Sequence, residues 1–521
     1  MDDNAPAGGD GLQWTRAFCH LQDALAVAEP SNEIRVAQGL YYPDRGENQM
    51  LGDRSATFEL RPGVAISGGY GGLSSEDPNQ HDVNQYASIL CGDLLDNDHQ
   101  GAELFDDNSF HIMTAIDIED EVVLDGFIIQ GGNAEGDAWP GNTRGGGMLI
   151  ERTRALIQNC RFEGNVGRRG SALLIREADA SVIDCVFAGN KGRCVHLISS
   201  DSVFQRCAFE DNQGGAVSST GLVYGGAGNP AFLDCVFFNN WAGTGGAVFT
   251  EYGGGPTFRN CRFIHNHASH TGGAIAMGGH GVSAVFHGCL FAGNQAANGG
   301  ALSLHHTHPL FEYCTLVNNK ARDRGGAIYS PGQTSLALLS SILWYNRATE
   351  GPQIYLHVEN QGESLNAMYC NIEGGLTDVA LVGAAPTVWQ HNLGHDLSNH
   401  IPSFVDTGTW QGTSFIEGDY HLKSQAGHWD SISESWVPDA VMSPCIDTGD
   451  PMSPIGLEPF PNGGGVNMGI YGGTVEASKS YFGKPICETI VAGDLNGDCQ
   501  VDDVDVAIMA RHWVEPHDIE E

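Results

Sequence analysis

Near the C-terminus, Asp494-Leu495-Asn496-Gly497-Asp498-Cys499-Gln500-Val501-Asp502-Asp503-Val504-Asp505 sets side-chain oxygens at positions 1, 3, 5, 9 and 12 of a loop. A hard cation such as Ca2+ needs an oxygen cage of this kind, completed by a backbone carbonyl at position 7, here Gln500. The expected ligands are therefore Asp494, Asn496, Asp498, Gln500, Asp502 and Asp505, and Val506, Met509, Ala510 and Trp513 then share one face of a following helix. An acidic solvated tail is the plainer alternative. A second set lies four to six residues past the small residue of several glycine-rich turns: Arg176 and Glu177, Glu251 and Tyr252, His280, and His305 and His306. There Tyr252 or a histidine is suited to abstract a proton, Arg176 to hold a carboxylate and Glu251 to hold a metal. Ordinary loop residues at strand ends are the competing reading, and the loose spacing of His265, His267 and His270 suits a solvated turn better than a metal site.

What would position that second set is a repeat. A phrase of the form Cys-x-Phe-x-x-Asn recurs at Cys160, Cys185, Cys207, Cys235, Cys261 and Cys289, again at Cys314 with Leu316 in the Phe place, and as a variant at Ser341 with Leu343; Gly126 begins the array and Cys370 closes it. Successive first positions from Cys160 to Cys370 lie 25, 22, 28, 26, 28, 25, 27 and 29 residues apart. A near-constant period of this size means a solenoid. The second half of many copies carries a small-residue turn and a strand, as in Gly245-Gly246-Ala247-Val248-Phe249 and Gly272-Gly273-Ala274-Ile275. Cys and Phe two apart point to one side of a strand, inward, while Arg161, Arg262 and Thr315 between them point outward. One such unit is too small to bury its own apolar face, so coils must stack and their strands pair in parallel. The asparagines read as a structural ladder rather than a binding row. The cysteines read as buried free thiols, because Ser341 replaces one of them and so points to a size requirement.

The array resembles a right-handed parallel β-helix of the pectin-lyase-like class, and its Gly-Gly-Ala-Ile and Phe-x-x-Asn phrases are similar to those of bacterial polymorphic outer-membrane proteins. The fold class expected is thus all-β, a right-handed parallel β-helix solenoid. Residues 1–60 read as an N-terminal cap and first coil, with a capping helix over Leu21 to Ala28 and strands at Ile34 to Ala37 and Val64 to Ser67. Residues 61–480 read as the β-helix with a closing segment, and 487–521 as a calcium loop and helix. That last stretch resembles one copy of the half EF-hand of dockerin type I modules, which implies Ca2+ as cofactor and a cohesin-like partner. It departs from the pattern in carrying Cys499 where position 6 is usually Gly, and in having one loop where dockerins have two. A Cys487–Cys499 bridge would staple a segment with no core of its own.

Composition narrows the function. With 25 Lys and Arg against 64 Asp and Glu the net charge is −39, which repels nucleic acid and anionic membranes and disfavours polyanions unless calcium or a local basic patch intervenes. No apolar stretch is long enough to cross a bilayer. The start, Met1 to Asp10, lacks a signal-peptide pattern, so the chain reads as the mature form of a secreted or cell-surface protein. Three functions remain: a surface β-helix that binds polysaccharide or a cell-surface partner, a polysaccharide lyase or glycoside hydrolase, and a structural spacer. A hydrolase needs two carboxylates roughly 5 to 10 Å apart, and no compact pair stands at matching positions of neighbouring copies.

Overall fold

In a computed structural model, the structure describes residues 1–98, 105–136, 144–221, 228–252, 254–358, 363–383, 386–481, 493 and 501–513. The chain forms two compact units, one of Met1–Ala284 with Gln295–Ala297 and Leu302–Thr307, the other of Val285–Asn294, Asn298–Ala301 and His308–Glu521. Each is a parallel β-helix built from three sheets, here A, B and C.

In the first unit, sheet A runs from Glu33–Ala37 to Thr257–Arg259, sheet B from Gly39–Tyr41 to Arg262–Ile264, and sheet C from Phe58–Glu59 to Leu302–Thr307. Every strand in them pairs in parallel with its counterpart one coil away, as the repeat predicts. The coils begin earlier than the repeated phrase, at Glu33. The expected helix is present as Leu21–Val27 and buries Leu21, Ala24 and Leu25.

Inside, identical side chains stack. Phe162, Phe187, Phe209, Phe237 and Phe263 form one column with ring centroids 5.0, 5.0, 4.7 and 4.6 Å apart. Phe204, Phe232 and Phe258 form a second at 5.1 and 5.0 Å. The thiols of Cys185, Cys207, Cys235 and Cys261 are free and buried, each donating to carbonyls at the preceding corner, as Cys235 does to Leu233 O at 3.3 Å and Phe204 O at 3.4 Å. Burial pushes the Cys185 thiol well above its ordinary range. The corner residue before each Cys sits at positive φ, 52° at Asn159 and Asp184 and 55° at Asp234, a conformation that Asn and Asp tolerate.

The asparagines are a ladder of buried amides. Asn190 donates its backbone N–H and its Nδ2 to Asn212 Oδ1, both at 3.1 Å, and its Nδ2 also to Phe162 O at 3.0 Å. Asn212 repeats this with Asn240 and Phe187 O, and Asn240 with Asn266 and Phe209 O. Glycine is required beside the ladder: a Cβ on Gly246 would overlap the Gly273 carbonyl of the next coil.

In the second unit the same ladder joins Asn294, Asn319 and Asn346. Ser341 takes the Cys place there, its hydroxyl donating to Leu339 O at 2.9 Å and accepting from Cys314 N at 3.0 Å. Thr315 points outward as expected, yet it is buried, because the closing segment lies over it and Ile470 N donates to its Oγ1 at 3.2 Å. Two antiparallel hairpins, Thr409–Gln411 with Ser414–Ile416 and His428–Asp430 with Ser435–Val437, belong to that segment.

Asn212→Ala removes several buried hydrogen bonds and leaves the Asn190 backbone N–H unpaired, an expected loss of about 3 kcal/mol or more. Asn239→Gly, at the exposed corner beside Asn240 where φ is 53° and glycine is unstrained, is expected to cost under about 1 kcal/mol. Urea unfolding of both variants checks this, and equal midpoints would contradict a ladder that carries stability.

Candidate functional site

The outward side of sheet C in the first unit collects the predicted residues. Along Val248–Glu251, Val248 and Thr250 point into the coil and are buried, which leaves Phe249 and Glu251 on the outside. The register then aligns Glu151, Arg176, Ile198, Thr220, Glu251, Gly278 and His305 in one row. The next residue of most coils turns the chain at positive φ: 48° at Arg152, 49° at Glu177 and Ser199, 54° at Tyr252 and 59° at His306. Arg176, Glu251 and His305 thus share a row, and Glu177, Tyr252 and His306 share the one beside it. Gly278 takes the row position expected for His280.

Sharing a row does not bring these groups into one constellation. At ~4.8 Å per coil, Arg176 and Glu251 are three coils, ~14 Å, apart, and Glu251 and His305 are two coils, ~10 Å, apart along the backbone. Arg176 is engaged by carboxylates on both sides, Glu177 at 3.1 Å and Glu151 at 3.5 Å. Tyr252 is 69% exposed, and the His305 and His306 rings meet edge to face at 4.0 Å.

Beside this row lies a group that the sequence reading passed over. Arg144 forms a parallel backbone bridge with Arg169, and Arg169 pairs in register with Arg193, so three arginines stack on consecutive coils, Arg169 in the sheet C strand Val166–Arg176 and Arg193 in Lys191–Ile198. The Arg193 guanidinium donates to Ser218 Oγ at 2.6 Å and lies over the Phe249 ring at 4.6 Å, both outward-row groups of sheet C. Gly192, at φ 96°, lets the chain pass there, since a Cβ would strike the Gly167 carbonyl. Under these arginines His196 is 2% exposed. Burial, then the charges of Arg169, Arg193 and Arg144, push its pKa down to about 3, so the ring is neutral. The Ser218 backbone only partly offsets this, and neither ring nitrogen meets hydrogen-bond geometry with a partner among the described residues. Burial first and the neighbouring guanidinium of Arg169 second also lower the Arg144 and Arg193 pKa values. The signal was present in the sequence: nine of the 25 Lys and Arg fall within residues 144–200 against five acids, and Arg144 and Arg169 each precede a turn glycine.

Of the expected calcium ligands, Asp494, Asn496, Asp498 and Gln500 lie outside the described residues, as do Cys487 and Cys499. Asp502 and Asp505 lead into the helix Asp503–Trp513, where Asp505 is buried and its Oδ2 accepts from Asp502 N at 2.7 Å. Val506 and Met509 on the expected apolar face are exposed.

The closing segment, where the sequence shows no chemistry, contains a buried carboxyl, Glu458, and a half-buried one, Asp447. Glu458 Oε1 accepts the N–H groups of Asn467 and Gly473, each at 2.8 Å. Burial outweighs those bonds and raises the Glu458 pKa to about 8; burial likewise raises that of Asp447 to about 6.

Residues 171–340 match the family described as "Right handed beta helix region", which agrees with the coils seen here. Residues 402–449 match the family described as "Disaggregatase related". Among solved structures, pectate lyase Pel9A is similar with a TM-score of 0.38 at 11% identity, over 90% of this chain and 94% of that one. PfbA, a surface adhesin of Streptococcus pneumoniae, is similar with a TM-score of 0.28 at 12% identity, over 75% of this chain and 89% of that one. No curated protein sequence matches. No helix among the described residues is long and apolar enough to cross a membrane.

A carboxyl whose pKa is higher in the fold than in the unfolded chain stabilises the fold below its unfolded pKa, and that stabilisation is lost as pH rises through the folded value. For Glu458 the window runs from its ordinary 4.5 to about 8. Glu458→Gln is therefore expected to raise the melting temperature relative to the parent at pH 9 and to shift it little at pH 5. A difference that does not change with pH would contradict the raised pKa.

Proposed function

We propose that this is an extracellular or cell-surface β-helix protein that binds a polysaccharide or surface glycan along the outward side of sheet C in its first unit. The supporting observation is the in-register row from Glu151 to His305, polar at Glu151, Arg176, Thr220, Glu251 and His305, and flanked by the exposed Tyr252 ring. Because the backbone ladder holds each coil, the row presents its hydrogen-bonding groups at fixed multiples of ~4.8 Å, a rigid track suited to an extended polymer. Sugar rings also stack on exposed aromatic faces, and Trp241, 50% exposed and next to His267, offers a further one. Catalysis is the second reading, with Tyr252 or His305 as proton acceptor, Glu251 preceding Tyr252, His306 next to His305, and Arg176 three coils from Glu251 along the same track. It would make the protein a polysaccharide lyase or hydrolase working in the same track.

One experiment separates the two. The calcium-loaded protein is incubated with a panel of acidic and neutral polysaccharides while unsaturated products and reducing ends are followed, and its migration is measured in gels containing each polymer. Retardation without product is the expected result. Product formation that Tyr252→Phe or His305→Ala abolishes would replace binding by catalysis, and neither retardation nor product would leave a spacer.

For the C-terminal module we propose one Ca2+ held by Asp494, Asn496, Asp498, Asp502, Asp505 and the Gln500 carbonyl, with a cohesin-like domain as its partner. The oxygen spacing and the helix that follows it support this reading. Calorimetric titration with Ca2+ is expected to lose one site in Asp498→Ala; an unchanged stoichiometry would contradict the assignment.

A further inference from the structure

We propose that the arginine stack of Arg144, Arg169 and Arg193 is a binding site for an anionic polysaccharide, whose carboxylate or sulfate groups pair with the guanidinia. This rests on the glycan-binding reading and names the charge class of its ligand.

Several independent observations carry it. The chain as a whole bears −39, yet residues 144–200 hold nine basic and five acidic side chains, a local excess of four positive charges. Like charges stacked on adjacent coils repel, and an arrangement of this kind is stabilised when an anion lies between them. Glu151 and Glu251 offset part of the charge at Arg144 and Arg193, but Arg169 between them is exposed and has no ion-pair partner among the described residues. The Arg193 guanidinium is held in place by the Ser218 hydroxyl and the Phe249 ring, which leaves further N–H donors of its fork for a ligand. Beneath the stack, His196 is a buried polar ring that lacks a hydrogen-bond partner among the described residues.

The spacing favours a polymer over a small anion. Guanidinia on consecutive coils repeat at ~4.8 Å, and a linked chain of acidic sugars lying along the stack repeats its charge at a comparable step. A single phosphate or sulfate would meet one or two of the three arginines. Arginine also suits carboxylate and sulfate equally, through its planar fork of donors.

The test uses the full chain in buffer containing a calcium chelator, so that calcium bridging does not contribute. Affinity electrophoresis is run with polygalacturonate, with dextran sulfate and with neutral dextran, and melting curves confirm that each variant is folded. Retardation by polygalacturonate alone identifies a carboxylated ligand, and retardation by dextran sulfate alone a sulfated one. Either is expected to weaken with salt, to fall about tenfold in Arg169→Gln, and to vanish in Arg169→Gln combined with Arg193→Gln. Arg169→Lys, which keeps the charge and loses the fork, is expected to fall between. Arg322→Gln, a surface arginine paired with Asp323, is expected to leave binding unchanged. Retention of polyanions that all arginine variants share would overturn the inference, as would retention of neutral dextran alone, and in both cases glycan binding itself would stand. No retention by any polysaccharide, with or without calcium, would overturn both.

Discussion

Everything in this protein hangs on one buried contact: the side-chain amide of an asparagine accepting the backbone N–H of the equivalent asparagine one coil earlier. At that corner the chain bends too sharply to pair its own amide groups, and no water reaches them. An asparagine supplies both an acceptor and donors in the space of one short side chain, so the Asn190–Asn212 geometry can be copied at Asn240 and Asn266 with almost unchanged distances. The copied corner fixes the register of all three sheets. Phenylalanines then stack on phenylalanines, and thiols sit where their weak donors reach the carbonyls at the turn.

Because the interior is settled by these columns, outward positions are free to vary, and the chain uses the outside of sheet C for charge. Rows form there by register alone: a residue type at one place in one coil lies directly above whatever holds the same place in the next. That is how Arg144, Arg169 and Arg193 come together although 25 and 24 residues separate them in sequence. It is also how Arg176, Glu251 and His305 fall into line while remaining whole coils apart.

The fold was readable because the period, the inward Cys and Phe and the glycine turns all repeat. Counting from those turns also located the row of Arg176, Glu251 and His305 correctly. The count slipped at His280, where Gly278 occupies the row in a coil whose strand continues to Val282. Outward residues that end up buried were not readable, since what covers them is distant in sequence: Thr315 lies under Ile470, and the environment of Glu458 depends on Asn467 and Gly473. The arginine stack was legible in principle from its place before the turn glycines. It was overlooked because an overall charge of −39 directs attention to cations and neutral sugars rather than to a local reversal of sign.

The central claim is that the outward side of sheet C, and no other surface of the first unit, receives the glycan. Hydrogen–deuterium exchange of the full chain with and without a bound acidic polysaccharide tests it most directly. The account predicts slowed exchange in the segments around Arg144, Arg169 and Arg193 and in the strand Val248–Glu251, with sheets A and B unchanged. Protection confined to sheet A or sheet B, with those segments exchanging at their free rates, would contradict it.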